Sequence, residues 1–535
     1  MTGSDAETLR LVREAMAAFT RGDAAAARRS AEAALARQSE EPNALQVLGL
    51  TALQTGDAGA ARGFLERAAA AAPSHPAILN ALGGALRQTG AVDEARHAFA
   101  RAGQAGSAEA WRNLGNLEAA QDRIDAAIAA YERATQAAPH DAPALASLAR
   151  LMERRHDVER ARALAERALA LNPASDIARL TLAELALRER AYSGVASLVG
   201  AVAERSPSPT NQALAWGLIG EAADKLGDAA AAFAGFSRAN ALLLAMHGAL
   251  RDDVRAPYHP SNLSRLRAFA AGADASAWRA PAGASPAPVF LVGFPRSGTT
   301  LLDQILSGHP ALAAMEERDV FAGIVADCFG ERGPEALASA GEEEIAARRA
   351  AYWQGVEVAG AAPGARTLID KLPLNLVFAP LIRRMFPDAK VILALRDPRD
   401  VILSCFQQRF GMNAAMVQLL ELHSAALFYD AAMGLFALSQ ERLGLVAHAV
   451  RYEDVVADLE GQARALCAFI GAPFAPEMLA FQATARARDI RTPSAKQVIQ
   501  PLYTGSIGRW RRYSGQLAPV LPLLAPWAAR FGYPD

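Results

Sequence analysis

The spacing of apolar positions along the chain changes near residue 288. Before that point they recur at intervals typical of short amphipathic helices, and after it short apolar runs alternate with helical patterns. Strands that alternate with helices predict βαβ units around a largely parallel sheet. The predicted strands lie within residues 289–292, 390–400 and 444–454, the last two as buried strands, and a further short strand is predicted directly before Lys371. The sequence therefore predicts a multidomain chain in which an all-α part precedes an α/β part.

The helical part carries an internal repeat. A leucine followed by a small residue recurs about every 34 residues, and a glycine such as Gly56, Gly90 or Gly227 marks the turn inside a unit. Each unit predicts two short helices that cannot bury their apolar faces alone, so roughly seven pairs are expected to stack into a solenoid. The recurring pairs are Leu48-Gly49, Leu82-Gly83, Leu114-Gly115, Leu148-Ala149 and Leu182-Ala183.

One unit lies closest to a known repeat pattern. It resembles the tetratricopeptide repeat through Trp111, Leu114, Gly115, Tyr131, Ala134 and Pro139. The resemblance implies a concave surface that binds a protein or peptide, and a scaffold that only holds another domain is the alternative. The proline- and glycine-containing stretch 278–288 indicates a linker. We therefore expect a repeat solenoid at 1–245, a helical connector at 246–287 and a second domain at 288–535.

Composition restricts the class of protein. The chain has 535 residues, 52% of them hydrophobic, and a formal net charge of −1, which argues against a nucleic-acid-coating protein. Neither a signal peptide nor an unbroken run of about 18 apolar residues is evident, so a cytoplasmic protein without a membrane span is expected. The spacing of histidines and of the three cysteines predicts neither a metal site nor a disulfide framework, and buried free thiols are expected.

The first predicted strand leads into a candidate phosphate loop. Residues 293–300, GFPRSGTT, fit the pattern G-x-x-x-x-G-K-[ST] except that Thr299 stands where lysine is usual. Glycines let backbone N–H groups approach an anion, and the N-terminus of the following helix adds about half a positive charge. Arg296 offers a planar guanidinium, and Thr300 a further hydroxyl. The later strand ends in Arg396 and Asp397, so a cation precedes the acid that could hold Mg²⁺. This pattern favours an anion site without a metal.

Two motifs now resemble one family. GFPRSGTTLLDQILSGHP at 293–310 resembles the 5′-phosphosulfate loop of sulfotransferases, and LRDPRDVILS at 395–404 resembles their 3′-phosphate motif. The arginine in the loop is similar to that of the tyrosylprotein and glycan branch. The resemblance implies a P-loop-like α/β domain that uses 3′-phosphoadenosine 5′-phosphosulfate (PAPS) as co-substrate and no metal. The implied nucleotide contacts are Arg296, Ser297, Gly298, Thr299, Thr300, Arg396 and Ser404.

A basic segment near the end, 492–513, resembles the part of the family that closes over the nucleotide. The resemblance implies further nucleotide contacts from this segment. It also implies one from a tyrosine that follows a predicted strand, and for this tyrosine a place in the core is the alternative. These residues are Lys496, Gln497, Val498, Tyr503, Arg509 and Tyr452.

The resemblance also implies the chemistry. Glu317, or alternatively Glu316, matches the general base, and Lys371 matches the lysine that stabilises the leaving group, with Arg296 beside it. Asp319 stands where tyrosylprotein sulfotransferases carry a basic residue, which places a tyrosine acceptor in question. The expected activity is in-line sulfuryl transfer to a hydroxyl of a peptide tyrosine, a glycan or a small molecule. A P-loop kinase or nucleoside triphosphatase, or a repeat adaptor with an inactive domain, is the alternative.

Overall fold

The computed structural model describes residues 3–283, 285–329, 333–361, 364–481 and 504–534. The chain forms two compact units, Met1–Ser206 and Pro207–Asp535. The first is entirely helical in its described residues, and the second contains the sheet.

The first unit consists of six antiparallel helix pairs, and a seventh pair opens the second unit. Seven pairs in the described residues agree with the predicted solenoid. The helices are α1 Gly3–Thr20, α2 Ala24–Arg37, α3 Pro42–Gln54, α4 Ala58–Ala71, α5 Pro76–Gln88, α6 Val92–Gln104, α7 Ala108–Ala120, α8 Ile124–Ala137, α9 Ala142–Arg154, α10 Val158–Leu171, α11 Asp176–Arg188, α12 Val195–Arg205, α13 Pro209–Lys225 and α14 Ala229–His247.

The recurring glycine after leucine lets the two helices of a pair cross closely. A Cβ at Gly83 would lie 2.6 Å from the ring of Phe99, and one at Gly115 would lie 2.7 Å from Tyr131. Both distances are far below van der Waals contact. Gly56 has a φ of +81°, which confirms the predicted turn and favours a residue without a Cβ.

The second unit is built around five parallel strands in the order β2-β3-β1-β4-β5. The strands are β1 Val289–Gly293, β2 Leu312–Glu316, β3 Thr367–Lys371, β4 Lys390–Leu395 and β5 Val446–Arg451. The remaining helices are α15 Pro260–Gly272, α16 Thr299–Ser307, α17 Ala322–Phe329, α18 Gly333–Ala338, α19 Glu342–Val358, α20 Ala379–Met385, α21 Pro398–Gln407, α22 Leu422–Leu443, α23 Tyr452–Ala457, α24 Leu459–Ile470, α25 Ser514–Leu517 and α26 Leu521–Arg530.

Both faces of the sheet are covered. Alternate residues of β1 enter different cores, Phe290 and Val292 on one face and Val289 and Leu291 on the other. A parallel sheet buried on both faces reads as a continuous apolar run, and this explains why β1 and β4 were predictable from the sequence.

Two details differ from the sequence prediction. β2, which ends at Glu316, was not predicted. β5 was expected to be a buried strand like β4, but it is an edge strand and is partly exposed. An edge strand need not be apolar on both faces, so the amino-acid composition of β5 is a weaker guide to its burial.

The predicted connector packs into the second unit. Trp278 is buried, stacks on Phe269 with ring centroids 6.1 Å apart, and belongs to the same core as the sheet. The compact division falls at residue 206, whereas the repeat pattern ends near 245, because the seventh helix pair packs within the second unit. The predicted domain limits at 245 and 288 stay a prediction based on sequence pattern.

Two helical segments have the length and mean hydropathy of a membrane span, Ala229–Leu250 at 1.3 and Leu422–Leu443 at 1.2. Both contribute buried side chains to the core around the sheet, such as Phe236 and Tyr429. Helices in a protein core satisfy the same criterion, so their composition does not decide where the protein resides.

Candidate active site

The predicted site residues gather along one edge of the sheet. In a parallel sheet the carboxyl ends of all strands lie at the same edge, and ligands bind where the strand order changes direction. That change occurs at β1, which is flanked by β3 and β4. From β2 to β5, the residues at or just beyond the strand ends are Glu316 and Glu317, Lys371, the loop 293–298, Arg396 and Tyr452.

The loop after β1 has the backbone of an anion site. Gly298 has a φ of +102° and is the N-cap of α16, and Arg296 also has a positive φ, +71°. Ser297 is buried, and its Oγ has no hydrogen-bond partner among the described residues. A buried hydroxyl without a partner is costly, so its position beside a helix N-terminus suits an incoming anion.

The two nucleotide motifs touch each other. Nε of Arg296 donates a hydrogen bond to Oγ of Ser404 at 3.1 Å, and Nη1 of Arg396 donates to the carbonyl oxygen of Arg296 at 3.3 Å. Ser404 lies on α21, whose N-cap is Asp397 and whose first residue is Pro398. The structure therefore brings the loop and the later motif into one site.

Positive charge is concentrated at this junction. Burial, together with the like charges of Arg396 and Arg509, lowers the pKa of the Arg296 guanidinium to about 10, although part of the residue remains accessible. Arg396 is buried, and its Nε lacks a hydrogen-bond partner among the described residues. The charges of Arg396 and Arg509 disfavour that of Arg296, and an anion bound beside these arginines would offset the repulsion.

A tyrosine and a thiol complete the surroundings of the loop. The Tyr452 ring lies 5.4 Å from the guanidinium carbon of Arg396, and its Cδ2 would be 3.1 Å from a Cβ at Gly298. Sγ of Cys405 donates to the carbonyl oxygen of Pro295 at 3.2 Å, and burial raises the pKa of this thiol to about 12. Cys405 therefore supports the loop as a neutral donor, a role that its spacing in the sequence did not reveal.

The candidate base and the candidate leaving-group cation form an ion pair. Nζ of Lys371 lies 2.9 Å from Oε1 of Glu317 and 3.3 Å from Oε1 of Glu316. The lysine side chain is fully buried, whereas the Glu317 side chain is 35% exposed and that of Glu316 only 13%. Glu317 has a φ of +45° and donates its backbone N–H to the Lys371 carbonyl at 2.8 Å. This geometry gives Glu317 the better access to an acceptor.

The C-terminal segment reaches the same region. Nη2 of Arg396 donates to the carbonyl oxygen of Ser506 at 2.5 Å, and Nη2 of Arg509 donates to Oε1 of Gln407 at 2.6 Å. Asp400 accepts the backbone N–H groups of Gly508 and Trp510 at 2.6 and 2.8 Å. The remaining predicted contacts of this segment lie outside the described residues: Lys496, Gln497, Val498 and Tyr503.

Several residues of the site were not predicted. Asp400 and Gln407 hold the C-terminal segment, and Asp224 of α13 pairs with Arg509. On β3, Asp370 is fully buried and accepts a hydrogen bond from the Tyr352 hydroxyl at 2.7 Å. Asp400 lies within the motif at 395–404, but that motif does not indicate its partners, which lie 108 and 110 positions away. Neither Asp224 nor Gln407 belongs to a motif. A search of the described residues finds no group of three potential metal ligands, and the three cysteines are buried and free.

Comparison with known proteins agrees with this geometry. Residues 288–476 match the sulfotransferase family, and 12–76, 52–117 and 108–151 match tetratricopeptide repeats. The second unit thus contains a sulfotransferase-family domain. The chain therefore combines a segment that matches the sulfotransferase family with segments that match tetratricopeptide repeats.

Individual relatives are more distant. An uncharacterized protein of Aquifex aeolicus is 30% identical over 253 residues, which cover 45% of this chain and 32% of the relative. Protein-tyrosine sulfotransferase 2 of Gallus gallus is 25% identical over 268 residues, covering 46% and 69%. Among solved structures, Pseudomonas aeruginosa PilF has a TM-score of 0.37 and 16% identity, with 39% of this chain and 97% of that chain covered. The chain spans about a third of the length of the first of these relatives.

Proposed function

We propose that the second unit transfers the sulfuryl group of PAPS to an acceptor hydroxyl. The observation that carries this proposal is the order of groups along the sheet edge. A carboxylate and lysine pair lies on the β2 and β3 side of the glycine loop, and a cluster of arginines lies on the β4 side. A donor with one phosphosulfate and one distant 3′-phosphate needs anion sites on both sides of its nucleoside.

The residues fit such a donor. Ser297 Oγ and Arg396 Nε are buried polar atoms without a partner among the described residues, and each could donate to a phosphate oxygen. The loop and the N-terminus of α16 would bind the 5′-phosphosulfate, with Thr299 and Thr300 as further donors. Arg396, Ser404 and Arg509 would bind the 3′-phosphate, and Tyr452 would pack beside the loop.

The chemical step is a substitution at sulfur. The acceptor oxygen forms a bond to sulfur while the bond between sulfur and the bridging phosphate oxygen breaks. Glu317 takes the acceptor proton, and Lys371 neutralises the electron pair left on the phosphate oxygen. The products are the sulfated acceptor, adenosine 3′,5′-bisphosphate and a proton.

The acceptor is proposed as a hydroxyl of a peptide, glycan or small molecule, and the repeats as a surface for a protein or peptide. Similarity to a protein-tyrosine sulfotransferase supports a peptide tyrosine. Asp319 lies two residues after the proposed base in the sequence. An acidic residue at this position lacks the attraction that a basic residue offers to an acidic peptide, so Asp319 favours a less acidic acceptor.

Incubation with radiolabelled PAPS and an extract of the host cell tests the proposal. We expect label to appear in a fraction that identifies the acceptor as protein, glycan or small molecule, and to disappear with Arg296→Ala. Adenosine 3′,5′-bisphosphate should raise the melting temperature more than ATP with Mg²⁺ does. A larger shift with ATP and Mg²⁺, together with no label transfer, would favour a kinase or triphosphatase.

A further inference from the structure

The seventh helix pair, α13 and α14, reaches the residues around the arginine cluster. Oδ2 of Asp224, near the end of α13, lies 2.8 Å from Nη2 of Arg509. The other oxygen, Oδ1, accepts from Nη2 of Arg512 at 2.8 Å and from the hydroxyl of Tyr513 at 2.6 Å. Asp224 is only 5% exposed. This buried carboxylate therefore contacts all three polar groups, which belong to the short helical segment 509–513.

The same helix pair also supports α21. Nδ2 of Asn240 donates to the carbonyl oxygen of Phe406 at 2.9 Å, and the rings of Phe233 and Phe406 stack with centroids 5.1 Å apart. Phe406 neighbours Gln407, which accepts the other hydrogen bond from Arg509. Arg509 is thus held between α13 and α21.

The Arg509 side chain lies near the proposed anion site. Arg509 is close enough to Arg296 for its charge to lower the pKa of that guanidinium. Gly508 and Trp510, on either side of Arg509, donate their backbone N–H groups to Asp400 on α21. The backbone is therefore fixed by Asp400, and the long Arg509 side chain is oriented by Asp224 and Gln407.

We propose that Asp224 is a positioning residue for the 3′-phosphate, acting through Arg509, and that the last repeat-like helix pair is a structural part of the nucleotide site. This inference rests on the proposed function. A guanidinium has five N–H donors in a fixed plane, so pairing one edge with Asp224 determines where the other edge points. The Arg509 side chain is therefore already ordered before the nucleotide binds, so binding costs less side-chain conformational entropy.

The test compares two nucleotides in the full-length protein. Binding of adenosine 3′,5′-bisphosphate and of adenosine 5′-monophosphate is measured by calorimetry, and the ratio of their affinities reports the contribution of the 3′-phosphate. Asp224→Asn should lower this ratio about tenfold, the order expected when a charged hydrogen bond is misplaced. Affinity for the monophosphate should change less than about twofold.

Two further variants distinguish the positioning of Arg509 from a general destabilisation of the protein. In the double variant Asp224→Asn with Arg509→Ala, the ratio of affinities should equal that of Arg509→Ala alone. This is expected because Asp224 affects the 3′-phosphate only through Arg509. Glu421→Gln is the matched control, because it breaks the 2.7 Å ion pair between Arg251 and Glu421, the residue before α22, and leaves Arg509 untouched. Its ratio should equal that of the wild type.

The possible outcomes are distinct. Equal loss of affinity for both nucleotides in Asp224→Asn, or an unchanged ratio, would overturn the positioning role while leaving the proposed function intact. A wild-type protein that does not prefer the bisphosphate would overturn the proposed function itself. If Asp224→Asn does not fold, Asp224→Glu keeps the charge and displaces it by one methylene, and it should still lower the ratio selectively; equal loss for both nucleotides would again overturn the role.

Discussion

Nζ of Lys371 lies 2.9 Å from Oε1 of Glu317, at the carboxyl ends of two neighbouring strands. The lysine is fully buried and the glutamate is partly exposed. The pair therefore joins a cation fixed in the protein interior to a carboxylate that an acceptor can approach. Glu316 shares the cation but is more enclosed.

The two glutamates should differ in their effect on turnover. Glu317→Gln removes the proposed base and should lower kcat by about 10² to 10⁴. Glu316→Gln should lower it much less, since this side chain has little access to an acceptor. Steady-state rates with labelled PAPS measure the difference, and binding of adenosine 3′,5′-bisphosphate serves as the control for folding. A larger loss in Glu316→Gln would reverse the assignment of the base.

Ser297 should matter for binding and not for stability. Its buried Oγ has no partner among the described residues, so Ser297→Ala removes no described hydrogen bond and should leave the melting temperature unchanged or slightly raised. Affinity for PAPS should fall by about tenfold, the value of one hydrogen bond to a charged group. Ser307→Ala, at the end of α16, is a control whose hydroxyl donates to the Asp303 carbonyl. A large loss of stability in Ser297→Ala would contradict the anion role.

Gly298 should tolerate no side chain. At a φ of +102° an alanine is strained by about 1 to 2 kcal/mol, and its Cβ would lie 3.1 Å from Tyr452. Gly298→Ala should therefore destabilise the second unit and weaken nucleotide binding more than tenfold, about the loss that such strain predicts. Gly323→Ala, on α17, is the matched control because a Cβ there meets nothing within 4 Å. Calorimetric titration and thermal unfolding of both variants measure the effect, and equal behaviour would refute it.

Asp370 should make stability depend on pH. Burial raises the pKa of its carboxyl to about 7, against the opposing effect of the Tyr352 hydrogen bond. The folded state keeps the proton while the unfolded state loses it near pH 4, so stability falls as pH rises between these values, by up to about 1.4 kcal/mol per unit. Asp370→Asn should remove this slope. Denaturation at about pH 5 and about pH 7 measures it, and an unchanged slope would contradict a buried neutral Asp370.

Local features explain which elements were predictable. β1, the glycine loop and α16 form one continuous stretch in which an apolar run, two glycines and an amphipathic helix follow one another, so the motif and its structure coincide. β2 was missed because its five residues, LAAME, carry no β-branched side chain and no strict alternation. The pairing with β3, and not local propensity, makes it a strand.

The sequence by itself determined the repeat period, the parallel α/β class and the phosphate loop with Arg296. These signals are local, because each depends on spacing within a few tens of residues. Arg396, Glu317 and Lys371 became candidates through the resemblance to the sulfotransferase family. Only the tertiary structure decided that Arg296 contacts Ser404, that Lys371 pairs with Glu317, and that Asp224 of the last helix pair holds Arg509. Such contacts join residues 54 to 285 positions apart, and their geometry follows from strand order and helix packing, which no local pattern encodes.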